Sequence, residues 1–282
     1  MFFKAIHNSP SELYSLFKTL SSIVKTFSIK IQSDGISILQ MDSAHISVID
    51  IFIDKNDFEQ FHIESEHNMV ISSENLCKAL SLCEKNDTII LCLKNSLSNK
   101  LDIAFSNESR KSKLSLHLIE FLDEEIQLPS IDYNVEMEIS IGRFIKICKN
   151  LSQFGSKVMK ITTDSKKQKI NIYGNSDLGE IEITLKETEK IVKKKLNIRK
   201  KTGNNEIETK KISGKKEILI NHFVKNADNV FSLEYINKIL NISSLSSRLN
   251  IGMSNETPIE IQAEFFKNSY LNYYIAPKIN ED

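Results

Sequence analysis

LQMDSAHISVIDI (residues 39–51) and YLNYYIAPKINED (residues 270–282) decide how this 282-residue chain is read. The first stretch is entered from a hairpin. FSIKIQSDGISILQM (residues 27–41) alternates apolar and polar positions on either side of Ser33, Asp34 and Gly35, which supply the turn chemistry between two strands. Asp42, Ser43 and His45 then offer the residue types of a hydrolase triad. On an extended segment, however, Asp42 and Ser43 face opposite sides, and no GxSxG elbow surrounds the serine. No HExxH, paired metal carboxylates or GxxxxGK[ST] appears elsewhere, and eight glycines leave few phosphate cradles. The residues point away from an enzyme.

Working outward, most of the chain reads as short alternating strands. TIILCLKNSLSNKLDIAF (residues 88–105), VMKITTDSKKQKINIYG (158–174), GEIEITL (179–185), RLNIGMS (248–254) and PIEIQAEFF (258–266) repeat the period of two. Four segments have a helical period instead: residues 11–25, 73–83, 142–154 and 232–241. Their apolar faces are Leu13, Leu16, Phe17, Leu20 and Val24; Leu76, Ala79, Leu80 and Cys83; Phe144, Ile147, Cys148 and Leu151; and Leu233, Ile236 and Leu240. Ser9 followed by Pro10 reads as an N-cap. About nine strands and two helices recur in the same order in each half, a duplication of pattern without residue identity. LIEFLDEEIQLPSIDYN (residues 118–134) is an acidic linker, since Pro129 disfavours a central strand or helix interior. The expected organisation is therefore a domain over residues 1–117, a connector over 118–134 and a second domain over 135–282.

Net charge is zero, which argues against a protein that simply coats nucleic acid. The distribution is uneven. Residues 186–217 carry 12 Lys and Arg against 5 Glu, which leaves the rest of the chain seven negative. This stretch reads as an inserted basic loop, with Gly203-Asn204-Asn205 at a turn. Cys77, Cys83, Cys92 and Cys148 lack CxxC spacing and paired His ligands, so reduced thiols on buried faces are expected and no metal. No apolar run approaches the ~18 residues of a membrane span, and the N-terminus lacks a signal-peptide core of ~7–15 apolar residues. An intracellular protein without cofactor or membrane contact is expected.

Met41-Asp42-Ser43 with His45 resembles the MDSSH segment of the proliferating cell nuclear antigen family, the ring-shaped DNA sliding clamps. Tyr274-Ile275-Ala276-Pro277-Lys278-Ile279 is similar to that family's YLAPKIxD end, and GRFIKICKNLSQFG (residues 142–155) to its GEFARICRDLSHIG helix. The likeness fails mainly over residues 186–216. It implies an α+β DNA clamp fold: two similar domains, each with two helices on curved antiparallel sheets, assembled as a homotrimeric ring. It further implies a partner-peptide groove from Met41, His45, Ile46, Ile126, Leu128, Pro129, Pro258, Tyr274, Ile275, Ala276 and Pro277. Peptides of the type Q-x-x-aliphatic-x-x-aromatic-aromatic would dock there, from a DNA polymerase, ligase, flap nuclease or clamp loader. Lys18, Lys25, Lys78, Arg143, Lys146, Lys149 and Lys238 would face duplex DNA without reading sequence. Ser21, Ser81 and Asn241 stand where clamps usually carry lysine, and Glu234 where arginine is common, so a weakly basic channel is expected. Residues 113–118 and 178–185 would be the edge strands that join subunits. The resemblance implies a nuclear protein, or one at a viral replication site if the chain is viral. A checkpoint or virus-specific transcription clamp is the alternative within the fold, and an enzyme on an unrelated α+β fold the alternative outside it.

Overall fold

The computed structural model describes residues 1–120, 126–128, 130–187, 191–193, 211–213 and 217–278. Alternating sequence becomes alternating burial. Ser47–Asp54, SVIDIFID, buries every first residue and half-exposes every second, and Ser269–Ile275 does the same. Both strands belong to a nine-stranded antiparallel sheet that runs through both halves of the chain. Its order is Ile218–Phe223, Val135–Ser140, Arg248–Met253, Ile259–Phe265, Ser269–Ile275, Ser47–Asp54, Gly35–Met41, Thr26–Ile31 and His67–Ser72. The halves meet where Ser269–Ile275 pairs Ser47–Asp54, with Tyr274 opposite Val48 and Ile275 opposite Ser47.

A smaller sheet flanks this one in each half. In the first half five strands end at Lys111–His117, and in the second four strands end at Gly179–Lys186. Both outermost strands lie within two residues of the edges that the resemblance implies, 113–118 and 178–185. Nine described strands precede residue 118. The second half repeats nine and adds a short pair, Ile191–Lys193 with Lys211–Ser213, at the base of the insertion. Residues 194–210, including the expected turn at Gly203, lie outside the described residues.

Among the described residues four helices pack as one layer over the core. They are α1 (Pro10–Ile23), α2 (Ser73–Leu80), α3 (Ile141–Gln153) and α4 (Leu233–Lys238), the last continuing as a 3-10 helix over Ile239–Ser244. Helix α1 touches α2 and α4, and α4 touches α3. The Ser22 hydroxyl donates to the Lys238 carbonyl at 3.2 Å, and Asn237 donates to the Ser152 hydroxyl at 3.2 Å. Three details differ from the sequence expectation. Ser9 occupies the N-cap position before Pro10, but its hydroxyl makes no cap hydrogen bond; its own N–H donates to His7 Nδ1. The fourth helix tightens to three residues per turn, so Leu233, Ile236, Ile239 and Ile242 are buried and Leu240 only half so. Among the cysteines only Cys148 is fully buried; Cys77, Cys83 and Cys92 are half-buried free thiols.

The linker is tied down at both ends. Ile119 N–H donates to the Val70 carbonyl at 2.8 Å, at the free edge of the large sheet. At the other end Asn134 N–H donates to the Ser254 hydroxyl, which donates to the Asp132 carbonyl. Between these anchors the Tyr133 ring lies against Gly252, so close that a Cβ there would stand 2.5 Å from a ring carbon. Glycine is needed at 252 for this approach.

Candidate functional site

Strand register assembles the expected groove from segments far apart in sequence. Met41 pairs with Val48, Val48 with Tyr274, and Tyr274 with Glu260. Paired residues share a face, and the face alternates along each strand. Ile46, Ala276 and Pro258 therefore extend the same outer face beyond the last rungs, while Ile275, Ser47 and Ile259 point into the core. The ladder continues past the strand end, because Ala276 N–H donates to the Ile46 carbonyl at 2.9 Å. Met41, Tyr274, Ala276, Pro277 and Pro258 are half-buried, and Ile46 is 37 % exposed. An apolar strip open to solvent results. Ile275, expected in the groove, is instead fully buried: its position in the alternation turns it inward. Ile126 and Leu128 are half-buried, and Pro129 lies outside the described residues, as does Ile279.

The loop over residues 42–47 is held by one carboxylate. Asp42, 4 % exposed, accepts from Ala44 N–H at 3.0 Å, Ile46 N–H at 2.9 Å, Ser47 N–H at 2.5 Å and the Ser47 hydroxyl at 3.1 Å. Tyr235, on α4, donates its phenol to the second carboxylate oxygen at 3.2 Å. Burial alone would raise the Asp42 carboxyl, but these donors outweigh it and hold it below the ordinary carboxylate range. His45 sits exposed at the loop tip with φ of 57°, in the left-handed region. Asp42 is thus a structural acceptor in an Asx-type turn, and Ser43 is exposed rather than seated beside it. The triad residue types have no triad geometry.

Below the groove the outer face turns polar. Asp50 is pushed up to about 6, first by burial and then by the nearby Glu260 charge, against a hydrogen bond from Asn272. The Tyr274 phenol donates to Glu260 at 2.8 Å. Beyond the tail, Lys278 N–H donates to the Val230 carbonyl at 2.7 Å. Lys160, Asp228, Pro277 and Lys278 line a concavity of about 480 Å³ there.

The candidate DNA-facing residues lie on the helix layer, except Lys25, which stands in the turn between α1 and Thr26–Ile31. Lys18, Lys25, Lys78, Lys146 and Lys149 are exposed, while Arg143 and Lys238 are half-buried. Lys78 is paired with Glu74 at 2.5 Å, and the Lys238 ammonium lies 3.9 Å from the centre of the Tyr235 ring. Ser21, Lys25, Lys78 and Ser81 share a cleft of about 640 Å³ between α1 and α2. A concavity of about 720 Å³ lies elsewhere, over the four-stranded sheet around Lys160, Tyr173 and Glu182. Among the described residues no group of three or more His, Cys, Asp or Glu side chains could hold a metal ion, and no helix is long and apolar enough to cross a membrane.

Sequence reasoning missed Tyr133 as a clamp on the linker and Tyr235 as a partner of Asp42. For Tyr133 the signal was present, a linker aromatic paired with one of few glycines. For Tyr235, 193 residues from Asp42, there was none.

One nine-stranded sheet shared by both halves, a smaller sheet flanking each half and one layer of four helices define the architecture of a DNA clamp. The comparisons agree. The model of the proliferating cell nuclear antigen N-terminal domain matches residues 2–127, and that of its C-terminal domain matches residues 127–206 and 198–278, meeting inside the insertion. The chain belongs to the proliferating cell nuclear antigen family. It is 24 % identical over 273 residues to the proliferating cell nuclear antigen of Caenorhabditis elegans, covering 96 % of this chain and 94 % of that one. Its fold matches the crystal structure of the Entamoeba histolytica protein of that name with a TM-score of 0.80, at 19 % identity, covering 98 % and 99 % of the two chains. The chain is accordingly a DNA sliding clamp and processivity factor in replication and repair, a scaffold and not an enzyme.

Proposed function

We propose that three copies of this chain close a ring around duplex DNA and capture partner peptides in the strip formed by Met41, His45, Ile46, Pro258, Tyr274, Ala276 and Pro277. The observation that carries this reading is the register across three adjacent strands, which brings both signature stretches onto one outer face. Apolar exposure rimmed by polar groups suits an aromatic-anchored peptide. The linker over 118–134 would supply the facing wall and would divide the chain into its two domains. A docked partner is then tethered to its template at raised effective concentration.

The edges support self-assembly through complementary charge. Lys111 and Lys113 stand on one unpaired edge, and Glu180 and Glu182 on the other. Unpaired edges of this kind need a partner, and a head-to-tail contact that closes gives a ring. The helix lysines would then face the enclosed duplex and contact phosphates. The nucleus is the place of work that family membership supports, or a viral replication site if the chain is of viral origin. The checkpoint or transcription alternative has no observation in its favour.

Titration calorimetry with a Q-x-x-I-x-x-F-F peptide tests the groove. Micromolar binding is expected, and truncation before Tyr274 should weaken it at least tenfold. Undiminished affinity in the truncated protein would refute the assignment.

A further inference from the structure

Asp42 is reached from two sides. From the groove side come the backbone N–H groups of Ala44, Ile46 and Ser47; from the helix layer comes the phenol of Tyr235. Tyr235 has two further contacts. Its carbonyl accepts the phenol of Tyr273 at 3.4 Å, and its ring carries the Lys238 ammonium 3.9 Å from the centroid. Tyr273 is fully buried in the strand whose outward neighbours, Asn272 and Tyr274, lie on the groove face. Helix α4 is therefore fastened to both walls of the strip, to the loop through Asp42 and to the tail strand through Tyr273.

We infer that Tyr235 is a positioning residue for the peptide groove and that Lys238, on the helix layer, tunes it. Both roles rest on the groove reading above. The carboxylate fixes the loop only while its own orientation is fixed. Its Oδ1 atom serves Ile46 and Ser47, and Oδ2 serves Ala44 and Tyr235. Without the phenol, Oδ2 keeps a single donor from an exposed residue, and the carboxylate, still held by three donors at Oδ1, gains freedom to turn about that end. Turning shifts Ile46, whose carbonyl is the acceptor for Ala276 N–H. One side chain outside the strip thus governs the separation of loop and tail. The ammonium over the ring holds the ring, and with it the phenol, in place by cation–π attraction. A phosphate that draws Lys238 away from the ring would loosen that hold, so the occupancy of the helix layer is read at the groove. By linkage the coupling is reciprocal.

The test uses the full chain and a Q-x-x-I-x-x-F-F peptide, with Tyr235→Phe, Lys238→Met, Asp42→Asn and the Tyr235→Phe/Asp42→Asn double variant. Tyr235→Phe keeps the ring and its packing, so native mass and melting temperature serve as controls. Peptide affinity should fall about tenfold or more in Tyr235→Phe, the scale of one hydrogen bond to a charged acceptor, and about twofold in Lys238→Met. In the Asp42→Asn background, Tyr235→Phe should have little further effect, because the pair acts as a unit. A general loss of structure would instead add in the double variant and would not extend to Lys238→Met. Unchanged affinity in both Tyr235→Phe and Lys238→Met, or additive effects of Tyr235→Phe and Asp42→Asn, would overturn the inference. If wild type fails to bind the peptide, the groove reading is what fails, and this inference falls with it.

Discussion

Gly252→Ala is the sharpest probe of how the linker is fixed to the body. A Cβ at 252 would stand 2.5, 2.8 and 2.8 Å from three carbons of the Tyr133 ring, well inside contact distance. The strand carrying Gly252 is paired on both sides, with Glu136 and Glu260, so the backbone cannot retreat and the ring must. Tyr133 is 9 % exposed and its phenol has no hydrogen-bond partner among the described residues, so no polar contact there resists its expulsion. Overpacking of this kind costs about 1–3 kcal/mol. Tyr133→Ala loses the ring's burial, about 3 kcal/mol, but leaves space for the methyl group introduced at position 252. The double variant should therefore be at least about 1 kcal/mol more stable than the sum of the singles predicts. Urea unfolding at one fixed protomer concentration measures the cycle, since an assembling protein's stability depends on concentration. Gly252→Ala should also weaken groove peptides, because the linker wall hangs from Tyr133. Additive single effects would show that ring and glycine do not meet, and the linker would need another anchor.

Two other predictions concern pH and salt. His7 is 4 % exposed between Phe58 and Phe266, and burial pulls it from 6.5 to about 4, against the attraction of Asp57. The unfolded chain takes up that proton first, so the stability from neutral His7 is complete above about pH 6.5 and lost as pH falls through 4, roughly 3 kcal/mol in all. Asp50, raised from 3.8 to about 6, acts in the opposite sense: its contribution falls as pH rises between those values. The stability of wild type relative to His7→Phe should therefore fall by about 3 kcal/mol from pH 7 to pH 4, and parallel profiles would refute the burial argument. For DNA, each phosphate contact contributes about 0.9 to the slope of log affinity against log salt. Replacing residues 187–216 by a short Gly-Ser linker should flatten that slope by several units on a short duplex. A slope changed only by Lys146→Ala with Lys149→Ala would mean that the helix faces hold the DNA alone.

Much of the fold was legible because its signals are local. Alternation marked the strands, and the helical period placed α1 and α3 within two residues at most of their ends. The edge strands were expected from the family resemblance, and Lys111–His117 and Gly179–Lys186 stand within two residues of those positions. The nine-stranded sheet was not legible, since pairing of Ser269–Ile275 with Ser47–Asp54 depends on contacts more than 200 residues apart. At the groove, Met41, Ile46 and Tyr274 are pointed to by the likeness of the two signature stretches to the family and not by their residue types, and that likeness includes Ile275, which the alternation of its strand turns inward. Tyr235 was invisible because its function depends on where α4 lies over the sheet, which no spacing encodes.

The native mass of the protein at micromolar concentration tests the central claim most directly. Each chain is 32.3 kDa, so light scattering should return about 97 kDa, three chains in a closed ring. Lys111→Glu with Lys113→Glu should break it to single chains, and adding Glu180→Lys with Glu182→Lys should restore it. A wild-type mass that stays at one chain across the concentration range would contradict the ring and leave the two edges to be explained in another way.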